Sequence, residues 1–288
     1  MRTITTAGRT VALTEAGDPS GFPVVVQHGT PGSGLLDPQH DVLAREQGVR
    51  LIGFDRAGYG DSSRDADRNV AAATADVNAI ADALSLDRYA TWGVSGGGPH
   101  ALACAALCDD RLVAVASLAA VAPYGADGLD WLEGMGEENH VEFGKALAGE
   151  DELRPYLDEQ REDLLNAKPE ELLAVMETLL GPEDRAALSG PYAEFMLAWS
   201  QRGVESGPDG WIDDDIAFTL PWGFELRAIN RPVLLLQGAD DRFVPVSHGR
   251  WLAARIPGVE ARITETDGHL TLLTRRMREV NDWLLAHR

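Results

Sequence analysis

A serine hydroxyl is a poor nucleophile until a fold holds it exposed beside a base. The run Gly93-Val94-Ser95-Gly96-Gly97 has the Gly-x-Ser-x-Gly spacing of a sharp strand-to-helix turn that does this. Strained backbone at such a serine leaves room only for very small residues two positions away on either side. The flanks agree: Arg88-Tyr89-Ala90-Thr91-Trp92 reads as a short buried strand, and the alanine- and leucine-rich stretch from Pro99 to Leu107 reads as a helix. A glycine-rich turn whose Ser95 merely caps that helix would look the same locally, so the partners decide. The serine needs a base to take its proton and a carboxylate to orient the base. Among seven histidines, His269 stands out in Thr266-Asp267-Gly268-His269-Leu270, a loop that follows the expected last strand Glu260 to Thr264. Catalytic groups of open α/β sheets collect at the carboxyl ends of strands. Upstream, Asp240 and Asp241 lie just beyond the expected strand Val233 to Leu236, which gives the order Ser, Asp, His.

The elements that must hold these residues are legible in the same way. Thr3-Ile4-Thr5 and Val11-Ala12-Leu13 alternate around Gly8 like an antiparallel hairpin. Aliphatic runs then recur at Val24 to Val26, Leu51 to Phe54 and Leu112 to Leu118, with helix-forming stretches such as Ala71 to Leu84 between them. This alternation predicts an α/β fold with a mostly parallel sheet covered by helices on both faces. The rhythm breaks between residues 124 and 223. There, apolar residues fall at helical spacing (Leu153 and Leu157; Leu172, Val175, Met176 and Leu179; Tyr192, Phe195, Met196 and Trp199), and Pro169 and Pro182 each stand where a helix can begin with acids in its first turn. The expected organisation is a core formed by residues 1–123 and 224–288, with a helical cap inserted at 124–223. Trp131, Met135, Phe143, Tyr192, Met196 and Trp199 are the expected pocket-facing residues of that cap, chosen for bulk and spacing. An amphipathic lid would turn the same aromatics into its own core and leave its acids in solvent.

Composition narrows the partners. The formal net charge of -21 opposes approach to nucleic acid phosphates and to anionic membrane surfaces. No stretch approaches the roughly 20 apolar residues of a membrane span, and Met1 to Thr6 lack the apolar run of a secretion signal, so a cytoplasmic protein acting on a small molecule is expected. Cys104 and Cys108 lie four apart on the helix behind Ser95 with no nearby His or Cys to complete a ligand set. They read as small buried hydrophobes, and no metal or cofactor is expected.

Taken together, His28-Gly29-Thr30-Pro31-Gly32, Asp55-Arg56-Ala57-Gly58-Tyr59-Gly60-Asp61-Ser62, the turn at Ser95, Asp241 to Pro245 and Gly268-His269 resemble the α/β-hydrolase superfamily over nearly the whole chain. The resemblance implies a Ser95, Asp241, His269 triad, with Asp240 as the alternative acid, and an oxyanion hole formed by the backbone N–H groups of Thr30 and Gly96. His28 is then a structural histidine hydrogen-bonded within its loop, and Asp55 pairs with Arg56 while Tyr59 borders the pocket. The remaining histidines, His40, His100, His140, His248 and His287, read as surface or packing residues. A serine nucleophile argues against the alkyl-ester chemistry of the superfamily's epoxide hydrolases and haloalkane dehalogenases, which needs a carboxylate. The expected activity is hydrolysis of carboxylic esters of small to medium apolar substrates. A proline-iminopeptidase-like aminopeptidase is the alternative, supported by Pro31-Gly32 and by an acidic lid that could hold an ammonium. Against it stand Thr30 in place of a glycine and the residues Val94 and Gly96 beside the serine. Lactone or carbon-carbon hydrolysis would use the same triad, and a non-catalytic ligand-binding protein is the reading from a different class.

Overall fold

Aliphatic runs without polar alternation, such as Val24-Val25-Val26 and Leu234-Leu235-Leu236, call for cover on both faces of a sheet. The computed structural model describes residues 2–6 and 8–288 and has that arrangement. Its strands are β1 (Arg2–Thr6), β2 (Arg9–Gly17), β3 (Phe22–Gln27), β4 (Val49–Phe54), β5 (Tyr89–Val94), β6 (Leu112–Leu118), β7 (Val233–Gly238) and β8 (Glu260–Thr264). They form one sheet in the order β1-β2-β4-β3-β5-β6-β7-β8. The expected hairpin pairs Ile4 with Val11, and β2 pairs antiparallel with β4; every later pairing is parallel.

Successive strand residues point to opposite faces, and each face has its own apolar layer. Val25, Ile52 and Val115 pack with Val77 and Ile80 of α2 (Ala73–Ala83) and Leu102 of α3 (Gly97–Leu107). Val24, Leu51 and Leu234 face the other way, toward the side covered by α1 (Pro38–Gln47) and by Met277, Val280 and Leu284 of the C-terminal helix. Each such side chain contributes about 1.5–3 kcal/mol when fully buried.

Between β6 and β7 the chain forms α4 (Glu137–Ala148), α5 (Glu150–Asn166), α6 (Leu172–Val175), α7 (Pro182–Ala187), α8 (Gly190–Val204) and α9 (Asp209–Thr219). Pro182 opens α7 and Pro169 opens a single 3-10 turn, as their positions predict. Leu153 and Leu157 are buried on α5. The stripe from Leu172 to Leu179 makes only one short helix; all four of its apolar residues line a cavity, and Leu172 and Met176 also pack against Tyr192, Met196 and Leu197 of α8. After β7 come α10 (Val246–Ala253) and, beyond β8, α11 (His269–Ala286). Among the described residues no helix is long and apolar enough to cross a membrane.

The strand order places the site. β3 and β5 are hydrogen-bonded neighbours, Gln27 beside Gly93, although β4 lies between them in the chain. Connections from such a pair leave the sheet in different directions and open a crevice at its carboxyl edge. The turns after β3, β5, β7 and β8 all lie on that edge.

Candidate active site

Ser95 follows β5 and has φ 53°, in the left-handed region that non-glycine residues rarely occupy. Its N–H donates to the Leu118 carbonyl at 2.9 Å and its carbonyl accepts from Gly98 N–H at 2.9 Å, so the strained turn is held from both sides. A Cβ at Gly93 would collide with the Gly97 carbonyl, and one at Gly97 with the carbonyls of Gln27 and His28. Both glycines are therefore demanded by close backbone approach, the reason their spacing suggested.

His269 is the first residue of α11, and its Nδ1 lies 2.8 Å from Oδ2 of Asp241. Oδ1 of Asp241 accepts from the N–H groups of Phe243 at 2.9 Å and Val244 at 2.8 Å, and Gln237 donates to Oδ2 at 3.2 Å. The Phe243 ring stacks on the imidazole with centroids 4.5 Å apart, which fixes its plane. Burial pushes the His269 imidazole down, but the Asp241 charge and hydrogen bond, with Asp184 beyond, raise it above its ordinary 6.5. Burial in turn raises the Asp241 carboxyl, against the pull of His269 and the Val244 N–H. Asp240 points elsewhere: it is half-buried against Gly181 and lies 4.0 Å from Arg242.

Thr30 and Gly96 face one another closely enough that a Cβ on Gly96 would meet the Thr30 hydroxyl. The loop carrying Thr30 is built on buried charge. His28 is 2 % exposed and uses both ring nitrogens, Nδ1 toward the Gly29 carbonyl at 2.7 Å and Nε2 accepting from Arg56 N–H at 3.0 Å. Burial and the adjacent Arg56 charge hold its pKa well below the usual histidine range, which suits a neutral, structural ring. The Arg56 guanidinium donates to the carbonyls of His28 and Gly29 and pairs with Asp214 of α9 at 2.5 Å. Asp214 also accepts from Arg68 at 2.7 Å, Tyr59 at 2.8 Å and the Thr30 hydroxyl at 2.7 Å, and faces His100 at 3.2 Å.

Two expectations about this loop need correction. Arg56 pairs with Asp214, not with its neighbour Asp55, whose carboxylate instead accepts from Gly34 N–H at 2.7 Å and Asp61 N–H at 3.1 Å. Tyr59 is fully buried under Asp214 rather than bordering the pocket. Most acids between residues 124 and 223 are exposed, as an amphipathic lid would have them, but four are not. Asp184, Asp213, Asp214 and Asp215 are all buried, because each is placed against a specific donor or carboxyl partner rather than on a solvated face. Sequence reasoning missed Asp184 altogether. It accepts from the first N–H groups of α11 (His269 at 2.6 Å, Leu270 and Thr271 at 2.9 Å), and so fixes the backbone that carries the imidazole. Its Pro182-Glu183-Asp184 setting announced only a helix start.

Ser95 and His269 line the same cavity of about 350 Å³, whose walls are largely apolar and come from the turns at the sheet edge and from the inserted helices. Of the six expected pocket residues, Met196 and Trp199 line it, and Trp199 also lies against Gly29 and Gly32 of the Thr30 turn. Phe143 lines a smaller chamber of about 50 Å³ that shares Thr30 and Ser95 with the first. Trp131, Met135 and Tyr192 lie outside both linings. Trp131 donates to the Ala122 carbonyl at 2.6 Å and packs edge-on to Phe143 and His248; Tyr192 belongs to an apolar cluster with Leu180, Leu188 and Leu270. Met135 is buried, within 3.9 Å of the Asn139 amide. Cys104 and Cys108 are free and buried. Among the described residues no group of three or more His, Cys, Asp or Glu is arranged to hold a metal ion.

Comparison with known proteins follows this geometry. A family model described as the alpha/beta hydrolase fold matches residues 23–275. An uncharacterized hydrolase of Bacillus subtilis is 23 % identical across 99 % of this chain and 97 % of its own length. A putative carbamate hydrolase of a Caulobacter species is 28 % identical across 85 % of this chain and 83 % of its own. Among solved structures, an esterase from a Rhodococcus species superposes with a TM-score of 0.69 at 21 % identity, covering 99 % of this chain and 98 % of that one.

Proposed function

Because the chain belongs to the α/β-hydrolase family, we propose that it is a cofactor-independent serine hydrolase that cleaves carboxylic esters of small to medium apolar substrates through an acyl-enzyme. Ser95 attacks the ester carbonyl while His269 Nε2 takes its proton, and Asp241 holds the imidazole in the tautomer that leaves Nε2 free. The backbone N–H groups of Thr30 and Gly96 stabilise the oxyanion, where one donor is worth about 3 kcal/mol at the transition state. His269 then returns the proton to the departing alkoxide. Water, activated by the same imidazole, releases the acid. Every proton in the cycle is handled by these side chains, so the mechanism calls for no cofactor.

One observation carries the reading: a serine in the left-handed region at the end of β5 lines the same cavity as a histidine whose other ring nitrogen lies 2.8 Å from a buried carboxylate. The helices between β6 and β7 supply much of the cavity wall, and its apolar lining supports an uncharged, compact acyl or alcohol group. The test is labelling with a fluorophosphonate, mapped by mass spectrometry, alongside p-nitrophenyl butyrate hydrolysis in metal-free buffer. Labelling at Ser95, and loss of both signals in Ser95→Ala, is the expected result. Turnover that survives in Ser95→Ala would remove the serine from the mechanism. Matched ester and arylamide substrates then separate ester from amide hydrolysis, because an amine must be protonated as it leaves and nitrophenolate need not be.

A further inference from the structure

The small chamber beside Ser95 and Gly96 contains two ionisable side chains, Glu142 of α4 and Asp215 of α9. Asp215 is 1 % exposed, and among the described residues no N–H and no hydroxyl donates to either of its oxygens, its one polar partner being the Glu142 carboxyl. Glu142 accepts from the Trp211 indole at 2.9 Å and lines both the chamber and the main cavity. Among the described residues neither carboxyl has a salt-bridge partner. Arg68, the cation acting on Asp215, is already committed to Asp214 at 2.7 Å and to the Gly210 carbonyl at 3.1 Å. The main cavity adds Glu138 and Asp163 to its wall, and among the described residues no lysine or arginine lines it.

Two carboxyls set side by side without a counter-ion are costly to bury, and the cost falls sharply if a cation arrives. Burial raises both groups; the Glu142 charge and hydrogen bond push Asp215 further, well above the usual carboxylate range, while the Trp211 and Asp215 hydrogen bonds pull Glu142 part of the way back. The pair therefore keeps a proton that a bound cation would displace. The chamber is small, about 50 Å³ against about 350 Å³ for the main cavity, and suits a compact group.

We propose that Glu142 and Asp215 form a subsite for the compact ammonium group of an amino-substituted acyl chain whose carbonyl is held at Ser95. The inference rests on the serine-hydrolase reading for its catalytic consequence, but not for binding. In the bound state the ammonium donates to both carboxylates, and the shared proton leaves to solvent. Phe143 and Phe218 close the chamber around the stem of the chain.

The experiment therefore has two arms. Calorimetric titration of the Ser95→Ala protein with n-butylammonium and with its neutral isostere n-butanol reads binding alone, and the ammonium should bind at least roughly tenfold more tightly. That preference should shrink in Glu142→Gln or Asp215→Asn and vanish when both changes are combined. Each replacement keeps the side chain's shape, and fluorophosphonate labelling of the same variants built with Ser95 intact checks that the fold is retained. Equal affinities for the two ligands, no binding of either, or a preference that persists in the double variant would overturn the subsite. The second arm compares kcat/KM for methyl 3-aminopropanoate against methyl butanoate, and methyl 2-aminopropanoate against methyl 2-methylpropanoate. At least one amino ester should lead its isostere in the wild type and lose that lead in the double variant. Loss of ester turnover with ammonium binding intact would sink the ester reading and leave the subsite; turnover without ammonium preference would do the reverse.

Discussion

Replacing Asp214 by asparagine keeps the outline of the side chain and removes one buried charge. In the native protein Oδ2 serves Arg56, Tyr59 and Thr30, while Oδ1 serves Arg68 and faces His100. An amide has one acceptor oxygen, so whichever way it turns its NH₂ confronts a guanidinium. Breaking a buried ion pair from one side costs about 3–5 kcal/mol. Arg56 would keep its carbonyl partners at His28 and Gly29, and Arg68 would keep Gly210 at 3.1 Å, which places the loss near the lower figure. Catalysis should suffer as well, because the Thr30 hydroxyl loses its anchor beside the proposed oxyanion hole. Removing an oxyanion donor outright costs about 10²–10³ in kcat, so loosening one should cost on the order of tenfold, with a smaller change in KM. Urea unfolding followed by tryptophan fluorescence and extrapolated linearly gives the stability, and p-nitrophenyl butyrate hydrolysis gives the kinetics. An Asp214→Asn protein within about 0.5 kcal/mol of native, with unchanged kcat, would refute the view that this network holds the loop.

The other expectations concern the imidazole. Asp241→Asn should lower kcat by roughly 10⁴-fold while Asp240→Asn costs little, since only Asp241 meets His269 Nδ1; comparable losses would remove that distinction. The acid limb of the kcat/KM profile should lie above pH 6.5, because the neutral imidazole is the proposed base and its pKa is raised in the folded protein; a limb below that value would contradict the Asp241 contact as its cause. Asp184→Ala should cost about 1–2 kcal/mol as a lost helix cap and should also move the acid limb downward, since the Asp184 charge helps raise His269. An unmoved limb with lowered stability would leave Asp184 a role in folding alone.

How much of this was legible in the sequence depends on how local the cause is. The turn at Ser95 was readable because strain acts within five residues: Gly93 and Gly97 have no room for a Cβ, and no other residue type serves. The strands were readable because aliphatic runs buried on both faces leave no other reading of Val24 to Val26 or Leu234 to Leu236. The helical character of the stretch between β6 and β7 was readable in its spacing, and Pro169 and Pro182 marked where helical turns begin. The pocket did not. Bulk and period say that Trp131 and Tyr192 are buried, but not whether they are buried against a cavity or against each other's neighbours. Conversely, the stripe Leu172, Val175, Met176 and Leu179 had the period of a packing face and turned out to line the cavity.

The run Asp213-Asp214-Asp215 makes the limit plain, for three adjacent acids late in a lid look like a solvated surface. Successive residues of a helix point about 100° apart, so on α9 the three carboxyls leave in different directions. Asp213 meets Arg64 at 2.7 Å, Asp214 meets Arg56 and Arg68 beneath the Thr30 loop, and Asp215 meets Glu142 beside Ser95. Every one of those partners is at least 60 residues distant in the chain, and no local pattern announces them. Asp184 repeats the lesson at α11, reaching across more than 80 residues to the N–H groups that begin the helix of His269. The inserted helices thus do more than cover the cavity: through buried carboxylates they brace the loop that carries Thr30 and the helix that carries His269. A change in the lid that leaves every cavity-lining residue in place should therefore still alter the chemistry, whereas a lid that only gated access would leave kcat untouched by such changes.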